Sequence, residues 1–137
     1  MKEAQFVKLI KRNLTIYNWM RIETTTMAGF PDLIGVSPQL DTIFVEAKVV
    51  IGNKIKLSPH QISMGIKLWR DTGGSSYIIA IKQHAKPLRP DSVKLYETRI
   101  SLDLLENGVN EPPTAEGWHT ICRYLQAVHG SRPKKLR

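Results

Sequence analysis

Two β-branched, apolar runs dominate the sequence: Thr42-Ile43-Phe44-Val45-Glu46-Ala47-Lys48-Val49-Val50 and Tyr77-Ile78-Ile79-Ala80-Ile81-Lys82. Between them lies one strongly punctuated helix. Ser58 suits its N-cap, Pro59 its first position and Gln61 the reciprocal position of a capping box, while Gly73-Gly74 ends it. Ile62, Ile66 and Trp69 are its expected buried stripe. A strand, a helix and a strand in this order predict a right-handed βαβ crossover with the two strands parallel. The expected class is α/β, with a small central mixed sheet flanked by helices.

The flanking segments fit around that unit. Glu3 to about Tyr17 reads as a helix through Val7, Ile10, Leu14 and Tyr17. A strand is expected over Trp19 to Thr25, a turn at Ala28-Gly29-Phe30-Pro31, and a short buried strand from Asp32 to Val36. Further on, Val93 to Glu97 reads as an edge strand and Ser101 to Glu106 as a short helix. A last helix after Thr114 carries Trp118, Ile121, Cys122, Leu125 and Val128 on one face. The organisation expected is one domain over residues 1–130 and a basic tail over 131–137. The N-terminus has no signal-type apolar core and no apolar run approaches the ~20 residues that span a bilayer, so a cytoplasmic protein is expected, in a bacterium or a phage-infected host cell. A lone Cys122 excludes an internal disulfide framework and a multi-thiolate zinc site.

Charge narrows the function. Twenty Lys and Arg against twelve Asp and Glu give +8 over 137 residues. Residues 91–116 carry six of the acids and a net −4, which leaves the remainder at +12. Such an excess points to a polyanionic partner, though a solvated basic surface satisfies it equally. In that remainder the few carboxylates stand out.

Asp32 follows Pro31 at the head of an apolar strand, and Glu46 and Lys48 project from one face of the next. Buried, these charges need partners or a metal. Oxygen donors of this kind suit Mg²⁺, which lowers the pKa of a bound water and neutralises a phosphate, with Lys48 beside it. The same residues also satisfy a cross-strand ion pair on an amphipathic strand. Pro90-Asp91 offers a contrast: its downstream Glu97-Thr98-Arg99 lies in polar context and has arginine in the lysine position.

Gly29-Phe30-Pro31-Asp32-Leu33-Ile34, then Phe44-Val45-Glu46-Ala47-Lys48, then Leu57-Ser58-Pro59-His60-Gln61 resembles the PD-(D/E)xK nuclease superfamily. The order is most similar to its VRR-NUC branch, whose small stand-alone members resemble archaeal Holliday-junction resolvases. The likeness covers roughly Glu3 to Lys82. It implies a restriction-endonuclease-like core with Asp32, Glu46 and the Ala47 backbone carbonyl as metal ligands, and Lys48 as the catalytic lysine. It also implies an active-site role for Gln61, which competes with the capping box for one side chain. Glu3 matches an acid on the family's first helix, which makes it a further expected metal ligand, and it shares the face of Val7, Ile10 and Leu14; an acid in a helix's first turn also satisfies the helix dipole. Glu23 is the lower-ranked rival.

The function this implies is a metal-dependent endonuclease, using Mg²⁺ with Mn²⁺ able to substitute, that cleaves four-way DNA junctions as a homodimer. The candidate DNA contacts are Lys8, Lys11 and Arg12 on the first helix, Arg21, Thr24, Thr25 and Thr26 before the turn, and Lys54, Lys56 and His60 around the second helix. Two alternatives stay open: the same chemistry on flaps, single strands or linear duplex, and a non-catalytic basic DNA-binding accessory protein. Neither a membrane nor an organic cofactor is expected.

Overall fold

Apolar alternation and helix punctuation place most of the described residues in ten helices and strands. The structure, a computed structural model, describes residues 1–23, 27–83 and 92–130. The order is α1 (Glu3–Asn13), β1 (Asn18–Arg21), β2 (Leu33–Val36), β3 (Ile43–Val50), α2 (Pro59–Thr72), β4 (Ser76–Lys82), β5 (Ser92–Glu97), α3 (Ser101–Asn107), β6 (Ala115–Glu116) and α4 (Trp118–His129). The sheet runs β1-β2-β3-β4-β5-β6 in space. Its pairings are antiparallel except the central one, β3 with β4, which is parallel across the α2 crossover. Among the described residues no helix is long and apolar enough to cross a membrane.

Side-chain alternation divides the core in two. Ile43, Val45 and Ala47 of β3 join Tyr77, Ile79 and Ile81 of β4 beneath α1 and α4. The opposite face collects Val50, Ile78, Ala80, Tyr96 and Leu104 under α2 and α3. Glu46 and Lys48 lie on that second face, as their spacing requires.

Several boundaries differ from the sequence reading. The first helix stops at Asn13, and Leu14 leaves helical geometry as its C-cap, with φ −107° and ψ 65°. Leu14 and Tyr17 are buried all the same, so their spacing reports burial in a loop and not helix. The first strand is shorter than expected; Thr24, Thr25 and Thr26 lie outside the described residues, as do Pro90-Asp91 and the tail 131–137. Strand β5 is not the sheet edge, because β6 pairs outside it through Lys94↔Glu116 and Leu95↔Ala115. On α2, Ile62, Ile66 and Trp69 are only half-buried, and the buried point is Gly65. A Cβ at Gly65 would stand 3.0 Å from the Thr98 side chain, so the helix rides close over the 3-10 turn Thr98–Ile100. On α4, Val128 is exposed and His129 is buried instead, hydrogen-bonded to Tyr77 Oη at 2.7 Å and Asp41 Oδ2 at 3.1 Å.

Candidate functional site

Three segments meet at the C-terminal half of β3. The first is the turn before β2. Gly29 adopts φ +79°, and a Cβ there would lie 2.3 Å from the His60 backbone, so only glycine lets this turn rest on the first turn of α2. Phe30 stands edge-on to Phe44 of β3 at 5.8 Å, and Pro31 is buried. Asp32 is then fixed from both sides. Its carbonyl accepts from Ile22 N–H at 2.7 Å, and its Oδ2 accepts from Ala47 N–H at 3.0 Å.

That last bond also aims a carbonyl. The N–H and C=O of one strand residue point to the same side, so the Ala47 carbonyl faces the Asp32 side, beyond the Leu33↔Val45 pair where the β2 ladder stops.

The second segment is β3 itself. Glu46 is only 7% exposed, and Lys48 Nζ stands 3.7 Å from its Oε2. Such burial is unlike an amphipathic surface ion pair. Burial foremost, then the neighbouring Asp32 charge, pushes the Glu46 carboxyl up to about 8; Lys48 opposes this, while a hydrogen bond with Asp32 and the Glu3 charge add to it. The gap beneath, bounded by Pro31, Leu57, Gly65 and Ile78, holds only about 10 Å³, no more than the least room a water needs.

The third segment is the start of α2. Ser58 Oγ accepts from Gln61 N–H at 3.1 Å, and Gln61 Oε1 accepts from Ser58 N–H at 3.0 Å, closing the capping box. The same Oε1 accepts from Lys48 Nζ at 3.1 Å, while Gln61 Nε2 donates to Glu46 Oε2 at 3.0 Å. Cap and site therefore do not compete, because the amide oxygen has two lone pairs and the nitrogen is left for Glu46. The amide's orientation follows from its partners: Ser58 N–H and Lys48 only donate, which fixes Oε1 towards them and leaves Nε2 for Glu46.

The remaining candidates are spread around this cluster. Glu3 is exposed at the head of α1, but partial burial and the Asp32 charge raise its carboxyl, against the pull of Lys48 and Arg21. It therefore belongs to the electrostatic neighbourhood without closing a ligand set. Among the described residues no three of His, Cys, Asp and Glu converge to hold a metal. Asp32, Glu46 and the Ala47 carbonyl fit a hard divalent cation nonetheless. They are oxygen donors only, and two adjacent carboxyls need a proton or a cation between them. Lys8, Lys11 and Arg12 are exposed on α1. Arg21 and Asp32 line a small cleft of about 360 Å³, together with Glu23. Lys54 and Lys56 line a larger one on the Lys48 side, and His60 is exposed beside it.

Comparisons with known proteins bear on the family and the fold. The family model of archaeal Holliday junction resolvase (Hjc) matches residues 7–110. The chain belongs to the Hjc family. Its fold is also similar to the 1.6 Å structure of Archaeoglobus fulgidus Hjc, described as a Holliday junction resolvase from an archaeal hyperthermophile. That likeness has a TM-score of 0.51 and 13% identity over 73% of this chain and 75% of the other. No curated protein matches. As an Hjc-family member the chain is a structure-specific DNA junction endonuclease that depends on a divalent metal. The matched stretch contains Asp32, Glu46, Lys48 and Gln61, and ends with the 3-10 turn Gly108–Asn110; Glu3 and α4 lie outside it.

The sequence reading missed the wall that α3 and this turn raise opposite Lys54 and Lys56. No signal local to residues 105–110 marks it, since the wall exists only once α3 packs against the sheet.

Proposed function

We propose that Asp32, Glu46 and the Ala47 carbonyl hold the divalent cation of this Hjc-family enzyme, Mg²⁺ with Mn²⁺ able to replace it, and that Lys48 and Gln61 complete the cutting centre. The observation that carries this reading is the Gln61 amide, which ties Lys48, Glu46 and the α2 cap into one network. When bound, the cation supplies charge neutralisation at the phosphate and an acidified water. Lys48 has three donors; one meets Gln61 and another is drawn to Glu46, which leaves one for a phosphate oxygen or the attacking water. Gln61 positions that ammonium and holds Glu46 Oε2, so the other Glu46 oxygen faces the Asp32 side. Glu3 adds negative charge near the cation without closing the donor set.

Lys8, Lys11, Arg12, Arg21, Lys54, Lys56 and His60 contact the DNA backbone around the cut, and Thr25 and Thr26, outside the described residues, are further candidates from the sequence. The substrate is a four-way junction, and a homodimer supplies the two centres that symmetric resolution needs. The ordered motifs favour a VRR-NUC-type member, built as one domain over residues 1–130 with a basic tail.

A synthetic four-way junction and a linear duplex of equal length, each with Mg²⁺, test this. Paired nicks near the branch, loss of cutting with a chelator and a dimeric mass are expected. Equal cutting of the linear duplex would remove junction specificity, and a 15.6 kDa species alone at micromolar concentration would remove the dimer.

A further inference from the structure

The cutting centre opens on its Lys48 side into a cleft of about 810 Å³. One wall is the connection from β3 to α2, which carries Lys54 and Lys56. The other is the end of α3 and the 3-10 turn Gly108–Asn110, with Glu106 and Asn110. The walls are joined by backbone hydrogen bonding. Val109 N–H donates to the Asn53 carbonyl at 2.9 Å, and Lys94 Nζ secures the Val109 carbonyl at 3.0 Å. Gly108 permits the junction: at φ +59° its missing Cβ would lie 1.7 Å from the Asn53 oxygen.

The walls differ in chemistry. Lys54 and Lys56, with Lys48 at the inner end, offer ammonium groups suited to phosphate oxygens. Among the described residues nothing hydrogen-bonds or ion-pairs with the side chains of Lys54, Lys56, Glu106 or Asn110. The Glu106 carboxylate repels phosphate but accepts from the exocyclic amino group of a base, and the Asn110 amide both donates to and accepts from a base edge. A nucleic-acid strand has the same two sides, phosphate along one and base edges along the other. A paired base offers only its groove edges, whereas an unpaired one also frees its Watson–Crick donors and acceptors and can enter a cleft of this depth, so the fit is better to an unpaired nucleotide.

We propose that this cleft receives one unstacked nucleotide beside the scissile phosphate, its backbone on Lys54 and Lys56 and its base edge against Glu106 and Asn110. The proposal rests on Asp32, Glu46 and Lys48 being the cutting centre, and deepens that reading by naming what is recognised. Extruding a base costs least where stacking is already broken, as at a branch point, so the cleft rewards a junction over continuous duplex. Among the described residues the cleft on the Lys48 side is about 810 Å³, while the one on the Asp32 side, lined by Arg21 and Glu23, is about 360 Å³ and less able to enclose a base. Recognition is therefore one-sided.

The test places 2-aminopurine at each of three positions on either side of the cut in a four-way junction. The full chain carrying Asp32→Asn is bound with Mg²⁺, so that binding proceeds without cutting. Fluorescence is expected to rise several-fold on one side of the cut only. The rise should fall at least threefold when Glu106→Ala and Asn110→Ala are added. Lys54→Ala with Lys56→Ala should lower the slope of log affinity against log salt by about 2 and leave the signal's position unchanged. No rise anywhere, rises on both sides, or a rise indifferent to Glu106 and Asn110 overturns the proposal. The six-position pattern is read with both walls intact, so it stands even if a wall variant folds poorly. Wild-type cleavage of the same junction separates the two readings. If it cuts and the pattern fails, the cleft proposal alone falls; if it does not cut, the cutting centre falls and the cleft with it.

Discussion

Strand β3 presents two faces built on opposite terms. Ile43, Val45 and Ala47 are each 0% exposed on the face that meets α1 and α4. Phe44, Glu46 and Lys48 alternate with them on the face beneath α2. The first face is held by apolar area, with each buried side chain contributing about 1.5–3 kcal/mol, and it tolerates small errors of shape. The second buries a carboxyl and an ammonium group, Glu46 and Lys48, beside Asp32, where every donor and acceptor must be met. Stability should therefore reside on one face and chemistry on the other. Substitutions that mix the two effects break this division.

The largest effect is expected on the charged face. Asp32→Asn and Lys48→Ala should each reduce junction cleavage by at least ~10³-fold, as loss of a metal ligand or a preorganised cation does, with junction affinity within a few-fold of wild type. Single-turnover cleavage and a gel-shift titration report the two separately. A Lys48→Ala variant that cuts at the wild-type rate would remove the assignment. On the apolar face Ile79→Ala, at a fully buried position, should cost about 2–5 kcal/mol of unfolding free energy yet leave the rate per folded molecule almost unchanged. A large rate loss in a folded Ile79→Ala protein would show that the two faces are not separable.

The division also explains what the sequence made legible. β3, α2 and β4 were readable because β-branched runs and a Ser-Pro-x-Gln start are local signals. The end of α1 was not, because Leu14 and Tyr17 keep helical spacing while buried in a loop. The two-residue β6 is too short for any period to show. At the site, Asp32, Glu46 and Lys48 stood out as charges in apolar strands. Gln61's double service could not be read, since it depends on which atoms of one amide face which segment. His129 was equally hidden: its partners Tyr77 and Asp41 lie 52 and 88 residues away in sequence.

Proton binding sharpens the contrast in metal-free protein. Glu46 keeps its proton in the fold up to about pH 8, from an ordinary value of 4.5, and shares the local charge with Asp32. Folding therefore takes up a proton over this window. The stabilisation is full below pH 4.5 and is lost as pH rises through 8. With a chelator present, melting temperature should fall from pH 5 to pH 9 by about 5 °C more in wild type than in Glu46→Gln, which keeps an acceptor for Gln61. Mg²⁺ should stabilise wild type increasingly across the same range, because the cation requires the ionised form. Parallel melting curves for the two proteins would mean that Glu46 carries no such strain.

The finest test lies at the cap of α2, where one residue serves both stability and chemistry. Ser58→Ala removes the Oγ cap but keeps the backbone N–H that Gln61 Oε1 accepts, so it should cost about 1 kcal/mol and alter cleavage by no more than a few-fold. Gln61→Ala should cost a similar amount of stability but slow cleavage by about 10–100-fold, because Lys48 and Glu46 lose their shared anchor. Gln61→Glu separates the roles within one side chain. Its carboxylate still accepts from Ser58 N–H and Lys48, so the cap survives. It has no N–H for Glu46 and sets like charge where a 3.0 Å hydrogen bond stood. Chemical melts and single-turnover rates should then show a helix start as stable as wild type joined to a cutting rate no better than Gln61→Ala. A Gln61→Glu enzyme with full activity would confine Gln61 to the cap and leave Lys48 oriented by Glu46 alone.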